Sequence, residues 1–185
     1  MIGDTVRDKD GVSALAVFAE IAINLSRRGL RVHDYLEGLF AKYGYFVSEN
    51  SYFVCHSPPK IAAIFRKIRY GAADAPEGTA LRYPTHLGRF KVTSVRDLTV
   101  GYDSDQADKK PVLPVSASSE MITFRLDNGS VITLRTSGTE PKIKYYSELA
   151  GASREAALFA LQEMVAAFVD ALLEPEANGL IARQG

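Results

Sequence analysis

Arg135, Thr136, Ser137, Gly138 and Thr139, with Lys142 and Lys144 on alternate positions after them, are the residues of this chain whose types converge on one chemistry. Hydroxyls and successive backbone N–H groups can gather around the oxygens of a phosphate dianion. Gly138 permits the φ > 0 conformation that turns those amides inward. Arg135 offers a planar two-nitrogen fork, and a lysine adds a point charge. A second reading stands beside this one. Ser-Gly-Thr-Glu-Pro is ordinary turn chemistry, and Ser137 to Glu140 matches a capping box. A helix is disfavoured here, because Ile143 and Tyr145 alternate with Lys144 and Tyr146 after Pro141. The Gly-x-x-x-x-Gly-Lys spacing of a P-loop is missing.

Other groups carry less. Asp103, Asp105 and Asp108 suggest a cation site but fail the EF-hand pattern, which needs an oxygen side chain where Ala107 stands. A solvated loop accounts for them, and no metal site is expected. His33, His56 and His86 fall on a helix, a strand end and a loop without ligand spacing. Cys55 reads as a core thiol. Ser137 has no general base nearby in sequence, so a nucleophilic role and a catalytic residue are not expected. Lys9 stands in an Asp-Lys-Asp group, which by itself is a surface cluster.

The elements that must hold the loop follow from periodicity. Asp10-Gly11 opens a helix to about Arg28, apolar on most sides, which predicts burial between layers. A second helix spans 32–43. Residues 45–56 are extended or a loose hairpin, broken at Glu49-Asn50-Ser51. Ser57-Pro58-Pro59 marks a domain boundary and starts a helix with Ile61, Ile64, Phe65 and Ile68 inward. Gly71 to His86 is loop, and a strand runs from Phe90 to about Leu98. Strands 121–126 and 131–135 form a hairpin over Asp127-Asn128-Gly129. A strand from Ile143 to about Leu149 leaves the loop. Ser153 then caps a helix with Leu158, Leu161, Val165, Phe168 and Leu172 in one stripe. The fold class is α+β: about four mostly antiparallel strands flanked by helices, after a helical remnant of an α/β domain. The expected domains are 1–57 and 58–185.

The chain has 185 residues, a formal net charge of zero and one cysteine. Zero net charge argues against gripping nucleic acid through the overall field. A single cysteine forms no internal disulfide, which suits a reducing compartment. No uninterrupted apolar run reaches membrane-spanning length, so a cytoplasmic protein without a membrane partner is the expectation.

Arg135 to Tyr146 closely resembles the phosphate-binding loop in the last domain of the α-D-phosphohexomutases, in particular their phosphoglucomutase-2/phosphopentomutase branch. The likeness extends, in the family's order, over Asp8 to Ala14, Lys42 to Tyr45, Gly101 to Ser104, Leu113 to Ser116, Met121 to Phe124 and Asn178 to Ile181. It implies that residues 1–57 end the third, sugar-binding domain and 58–185 form the fourth. It also implies that Arg135, Thr136, Ser137, Gly138, Thr139 and Lys144 hold the non-reacting phosphate, with Lys144 favoured over Lys142. Lys9 matches a Lys-Asp-Gly whose lysine approaches the sugar.

In the complete enzymes an active-site phosphoserine exchanges its phosphoryl group with a sugar phosphate through a bisphosphate. Mg²⁺ sits on an Asp-x-Asp-x-Asp-Arg loop, and glucose 1,6-bisphosphate is the activating bisphosphate. Neither the Ser-His-Asn-type phosphoserine motif, the Asp-x-Asp-x-Asp-Arg loop nor a Gly-Glu-x-Ser sugar loop occurs in these 185 residues. The expectation is thus the C-terminal part of a sugar-phosphate mutase (an isomerase), inactive alone, binding sugar phosphates and partnered by N-terminal domains of the same enzyme. The alternative is a non-catalytic sugar-phosphate-binding module.

Overall fold

The computed structural model describes residues 3–4 and 8–184, and the chain divides into two compact units, 1–45 and 46–185. The division falls ahead of the expected boundary at Ser57-Pro58-Pro59. The reason is strand β1 (Tyr45–Val54), a single uninterrupted strand that hydrogen-bonds into the sheet of the larger unit.

The smaller unit is a helical pair. Helix α1 (Gly11–Arg27) begins where Asp10 accepts hydrogen bonds at 3.1 Å from the N–H groups of Val12 and Ser13. Helix α2 (Val32–Tyr43) starts with a reciprocal cap between Arg31 and Asp34. Hydrogen bonds from the Arg31 side chain and backbone hold the Asp34 carboxyl down at about 2. Of the residues in α1 only Leu25 is buried, whereas Val12 is 82% exposed and Leu15 68%. The burial expected of an all-round apolar helix is therefore not met within this chain.

The larger unit is α+β, built on a sheet of eight strands rather than four. Its members are β1, β2 (His86–Leu87), β3 (Phe90–Asp97), β4 (Tyr102–Asp103), β5 (Met121–Leu126), β6 (Val131–Thr136), β7 (Lys142–Gly151) and β8 (Ile181–Ala182). The order is β2-β3-β5-β6-β7-β1-β8, with β4 beside β3. Strands β3, β5, β6 and β7 are the four long antiparallel neighbours. Two-residue strands carry almost no periodicity, which is why β2, β4 and β8 escape a reading of the sequence.

Alternation sends Ile122, Phe124, Leu126, Ile132, Leu134, Ile143, Tyr145 and Leu149 to one face. There they share a core with Ile64, Phe65 and Ile68 of α3 (Pro58–Tyr70) and with Leu161, Met164, Val165 and Phe168 of α4 (Arg154–Phe168). The ring of Phe168 meets Phe124 edge-on at 6.4 Å and Tyr145 at 6.1 Å. A bulge between Val92 and Ser94 shifts the alternation of β3, so Phe90 and Val95 are both buried. Such a bulge puts an extra residue into one strand, which breaks plain alternation there.

Ser153 caps α4 as expected, accepting from the N–H of Ala156. Leu158, expected in the buried stripe, is exposed, and Met164 takes a core place instead. The helix continues through a π-helical turn (Val169–Leu173) into the short α5 (Pro175–Asn178), and Leu172 and Leu173 are buried on that turn. By length and composition alone, Arg154–Asn178 would also suffice to cross a membrane. In this fold its apolar side is part of the core.

Candidate functional site

Between β6 and β7 the chain turns at Ser137 to Pro141, so the loop hangs from two paired strands. Arg135 faces Lys144 directly across the ladder, and Thr136 faces Ile143. Cross-strand partners project to the same face, which puts both cations on the face opposite the core. Lys142 and Tyr146 share that face by alternation, and the Arg135 guanidinium lies 5.5 Å from the Tyr146 ring centroid. Like charges directly opposite one another are unfavourable in a sheet, so this pair is best accommodated when an anion sits between them.

In this structure the nearby anion is Glu140. Its carboxylate accepts from Lys142 at 2.6 Å and from Lys144 at 3.2 Å. Those hydrogen bonds, Lys142 first, hold the Glu140 carboxyl below the usual carboxylate range, and the Lys142 ammonium is raised in turn. Lys142 also lies 4.3 Å from the Tyr52 ring centroid, so β1 helps to place it. In the sequence, Glu140 reads as turn or capping chemistry. Its spacing of two and four residues from the lysines was the available signal.

The loop is closed by few bonds. The Ser137 N–H donates to the Lys142 carbonyl at 2.9 Å, and the Lys142 N–H donates to the Glu140 carbonyl at 2.7 Å. The Pro141 carbonyl accepts from the Cys55 N–H at 2.9 Å, tying the loop to the end of β1. Gly138 does not use the left-handed conformation open to it. The turn is made by the bonds around Glu140 and by the fixed φ of Pro141, so a left-handed residue is not required. Among the described residues, no hydrogen bond engages the N–H groups of Gly138, Thr139 and Glu140, or the hydroxyls of Ser137 and Thr139. Five donors thus gather at a loop tip beside Arg135 and Lys144.

Thr136 is held from behind. Its N–H donates to the Glu120 carbonyl at 3.0 Å, and its Oγ1 accepts from the Glu120 N–H at 3.1 Å. A hydroxyl that accepts one bond keeps its own proton to give elsewhere. Glu120 had no signal in the sequence, because it becomes Thr136's neighbour only when β5 pairs with β6.

The fold therefore sets Arg135 and Lys144 beside the loop of Ser137, Gly138 and Thr139, whereas Thr136, paired with core-facing Ile143, turns its side chain to the other face of the sheet. Lys9 lies in the smaller unit, exposed and paired at 2.8 Å with Asp8. Among the described residues no three His, Cys, Asp or Glu side chains cluster to hold a metal ion, and Asp103 instead accepts from the Asp105 N–H. The residues described here do not fit a Mg²⁺ site.

No family model matches this chain. Relatives are found along nearly its whole length. It is 46% identical over 187 residues to the human glucose 1,6-bisphosphate synthase, covering 99% of this chain and 29% of that protein. It is 42% identical over 180 residues to the human phosphopentomutase, covering 95% and 28%. A probable phosphoribomutase of Schizosaccharomyces pombe is 44% identical over 181 residues, covering 97% and 30%. The chain belongs to the phosphohexomutase family. Within it, the relatives matched here carry the names of pentose-phosphate mutases and of a bisphosphate synthase, and the chain spans less than a third of their length.

Proposed function

We propose that this chain is the C-terminal part of a phosphoglucomutase/phosphopentomutase-type enzyme and that its β6–β7 loop anchors the phosphate that is not reacting. The observation that carries the reading is the loop itself. Arg135 and Lys144 face each other across paired strands, and the unengaged donors of Ser137 to Glu140 lie beside them. An oriented set of neutral donors with two cations suits a phosphate dianion presented in more than one sugar orientation. Lys9, near the start of α1, is proposed to approach the sugar.

Catalysis is assigned to parts of the enzyme outside these residues, where the phosphoserine, Mg²⁺ and the sugar-reading loop would reside. Anchoring one phosphate contributes by orienting the other end of the substrate. The exposed apolar residues of α1 favour this reading over a self-sufficient binding module, which would carry polar residues there.

Glucose 1,6-bisphosphate titrated into the whole chain tests the site. Losing one charged partner of a bound anion costs about 1.5–3 kcal/mol, so Arg135→Ala weakens binding about tenfold to a hundredfold. Lys91→Ala, on β3, leaves it unchanged. If the parent binds and Arg135→Ala binds equally well, the loop is only a turn.

A further inference from the structure

Behind the loop lies a buried ionic cluster that the reading above does not use. Arg69, on α3, is 4% exposed, and Asp97, at the end of β3, is fully buried. The Arg69 Nε donates to Asp97 Oδ2 at 2.6 Å, and Nη2 donates to Asp97 Oδ1 at 3.2 Å and to the Glu120 carboxylate. One guanidinium thus serves two carboxylates. Asp97 is completed by the Tyr83 hydroxyl at 3.0 Å and by the N–H groups of Thr99 and Val100.

Burial lowers the Arg69 guanidinium, but its hydrogen bonds to Asp97 and Glu120 outweigh it and hold the group above its ordinary value. Burial, followed by the Asp97 charge, raises the Tyr83 phenol, which keeps it a donor. One guanidinium held by two carboxylates and a phenol leaves the cluster little freedom, so its geometry is fixed.

Such a cluster is a poor source of stability, because desolvation consumes much of the attraction. It is a good source of position. Glu120 stands at the head of β5, its side chain on Arg69 and its main chain on both polar groups of Thr136. We propose that Arg69 and Glu120 are positioning residues for the phosphate loop: through the Glu120 main chain they fix Thr136, and with it the end of β6 from which the loop starts. The proposal rests on the loop reading given above.

The test separates the two. Glucose 1,6-bisphosphate is titrated into the 185-residue chain and into Arg135→Ala, Glu120→Ala, Glu120→Gln, Thr136→Val and the double variant Glu120→Ala with Thr136→Val. The amide exchange of Thr136 is followed in parallel. Glu120→Ala is expected to weaken binding about threefold to tenfold, the range for one hydrogen bond, and to speed Thr136 exchange while Ile132 in mid-strand stays protected. Glu120→Gln, whose amide oxygen still accepts from Arg69, recovers most of the affinity. In the Thr136→Val background, where one of the two Glu120–Thr136 bonds is already gone, the Glu120→Ala change costs less.

Arg69→Lys, which keeps the charge and loses the fork, replaces Glu120→Ala if that variant does not fold. The proposal is overturned if Arg135→Ala loses binding while Glu120→Ala does not. It is equally overturned if the Glu120→Ala loss persists undiminished in the Thr136→Val background. If Arg135→Ala binds like the parent, the loop reading falls and this proposal falls with it.

Discussion

Glu140 shows how one side chain can stand in for a ligand. It contacts Lys142 and Lys144, the cations that an incoming phosphate would meet, so the anion and the carboxylate compete. An exposed pair of this kind holds weakly, and removing the charge frees both lysines. Glu140→Gln should therefore raise the affinity for glucose 1,6-bisphosphate about twofold to fivefold at neutral pH, read by calorimetric titration. An unchanged or weaker affinity would show that Glu140 orders the loop instead of competing for it. The pH dependence has a definite sign. The folded-state carboxyl lies below its ordinary value of 4.5, so its pairing is fully present above pH 4.5 and is lost as pH falls through the lower folded value. A carbon-detected titration of Glu140 should give a midpoint below 4.5, and replacing both lysines with alanine should bring it back.

Among the elements, α4 does most to hold the sheet that carries the loop. Phe168 is fully buried against Phe124 of β5 and Tyr145 of β7, and β7 is the strand that leaves the loop. Phe168→Ala should cost about 3–5 kcal/mol in denaturant unfolding, the range for a large buried ring. Phe159→Ala, on the exposed side of the same helix, should cost less than about 1 kcal/mol. Equal losses would mean that α4 is not seated as described. The turn from β2 to β3 also leans on this helix. A Cβ at Gly88, where φ is +56°, would lie 2.9 Å from the Cβ of Ala167, so neither conformation nor space favours a larger residue there.

For the molecule as a whole, the contrast lies between a unit with a continuous core and one whose described residues bury little. The larger unit buries a continuous apolar cluster, whereas α1 buries only Leu25. Opening should therefore be easier in α1, and hydrogen exchange should be fast in residues 12–25 and slow in 157–168. Equal protection in a monomer would contradict this. The proposed division of labour also predicts that the isolated chain does not interconvert sugar phosphates. A coupled assay with glucose 1-phosphate, Mg²⁺ and glucose 1,6-bisphosphate checks it, and turnover by the pure chain would overturn it.

Local chemistry was legible without the fold. Asp10 and Ser153 cap their helices because a short oxygen side chain can reach the first free N–H groups. Asp127-Asn128-Gly129 turns the β5–β6 hairpin, with φ of +84° at Gly129 that the absence of a Cβ permits. The same locality made the stretch from Arg135 to Lys144 readable, since its charges and hydroxyls are close in sequence. What needed the tertiary structure was everything joined across long separations. Strand β1 joins β7 through pairing that no periodicity announces. The bulge in β3 changes which side chains face the core, and only the partner strand shows it. Arg69, Asp97 and Glu120 are each unremarkable charged residues in sequence. They meet because α3, β3 and β5 pack together, and the burial of Arg69 and Asp97, with Glu120 half-buried beside them, turns surface-type side chains into a fixed support.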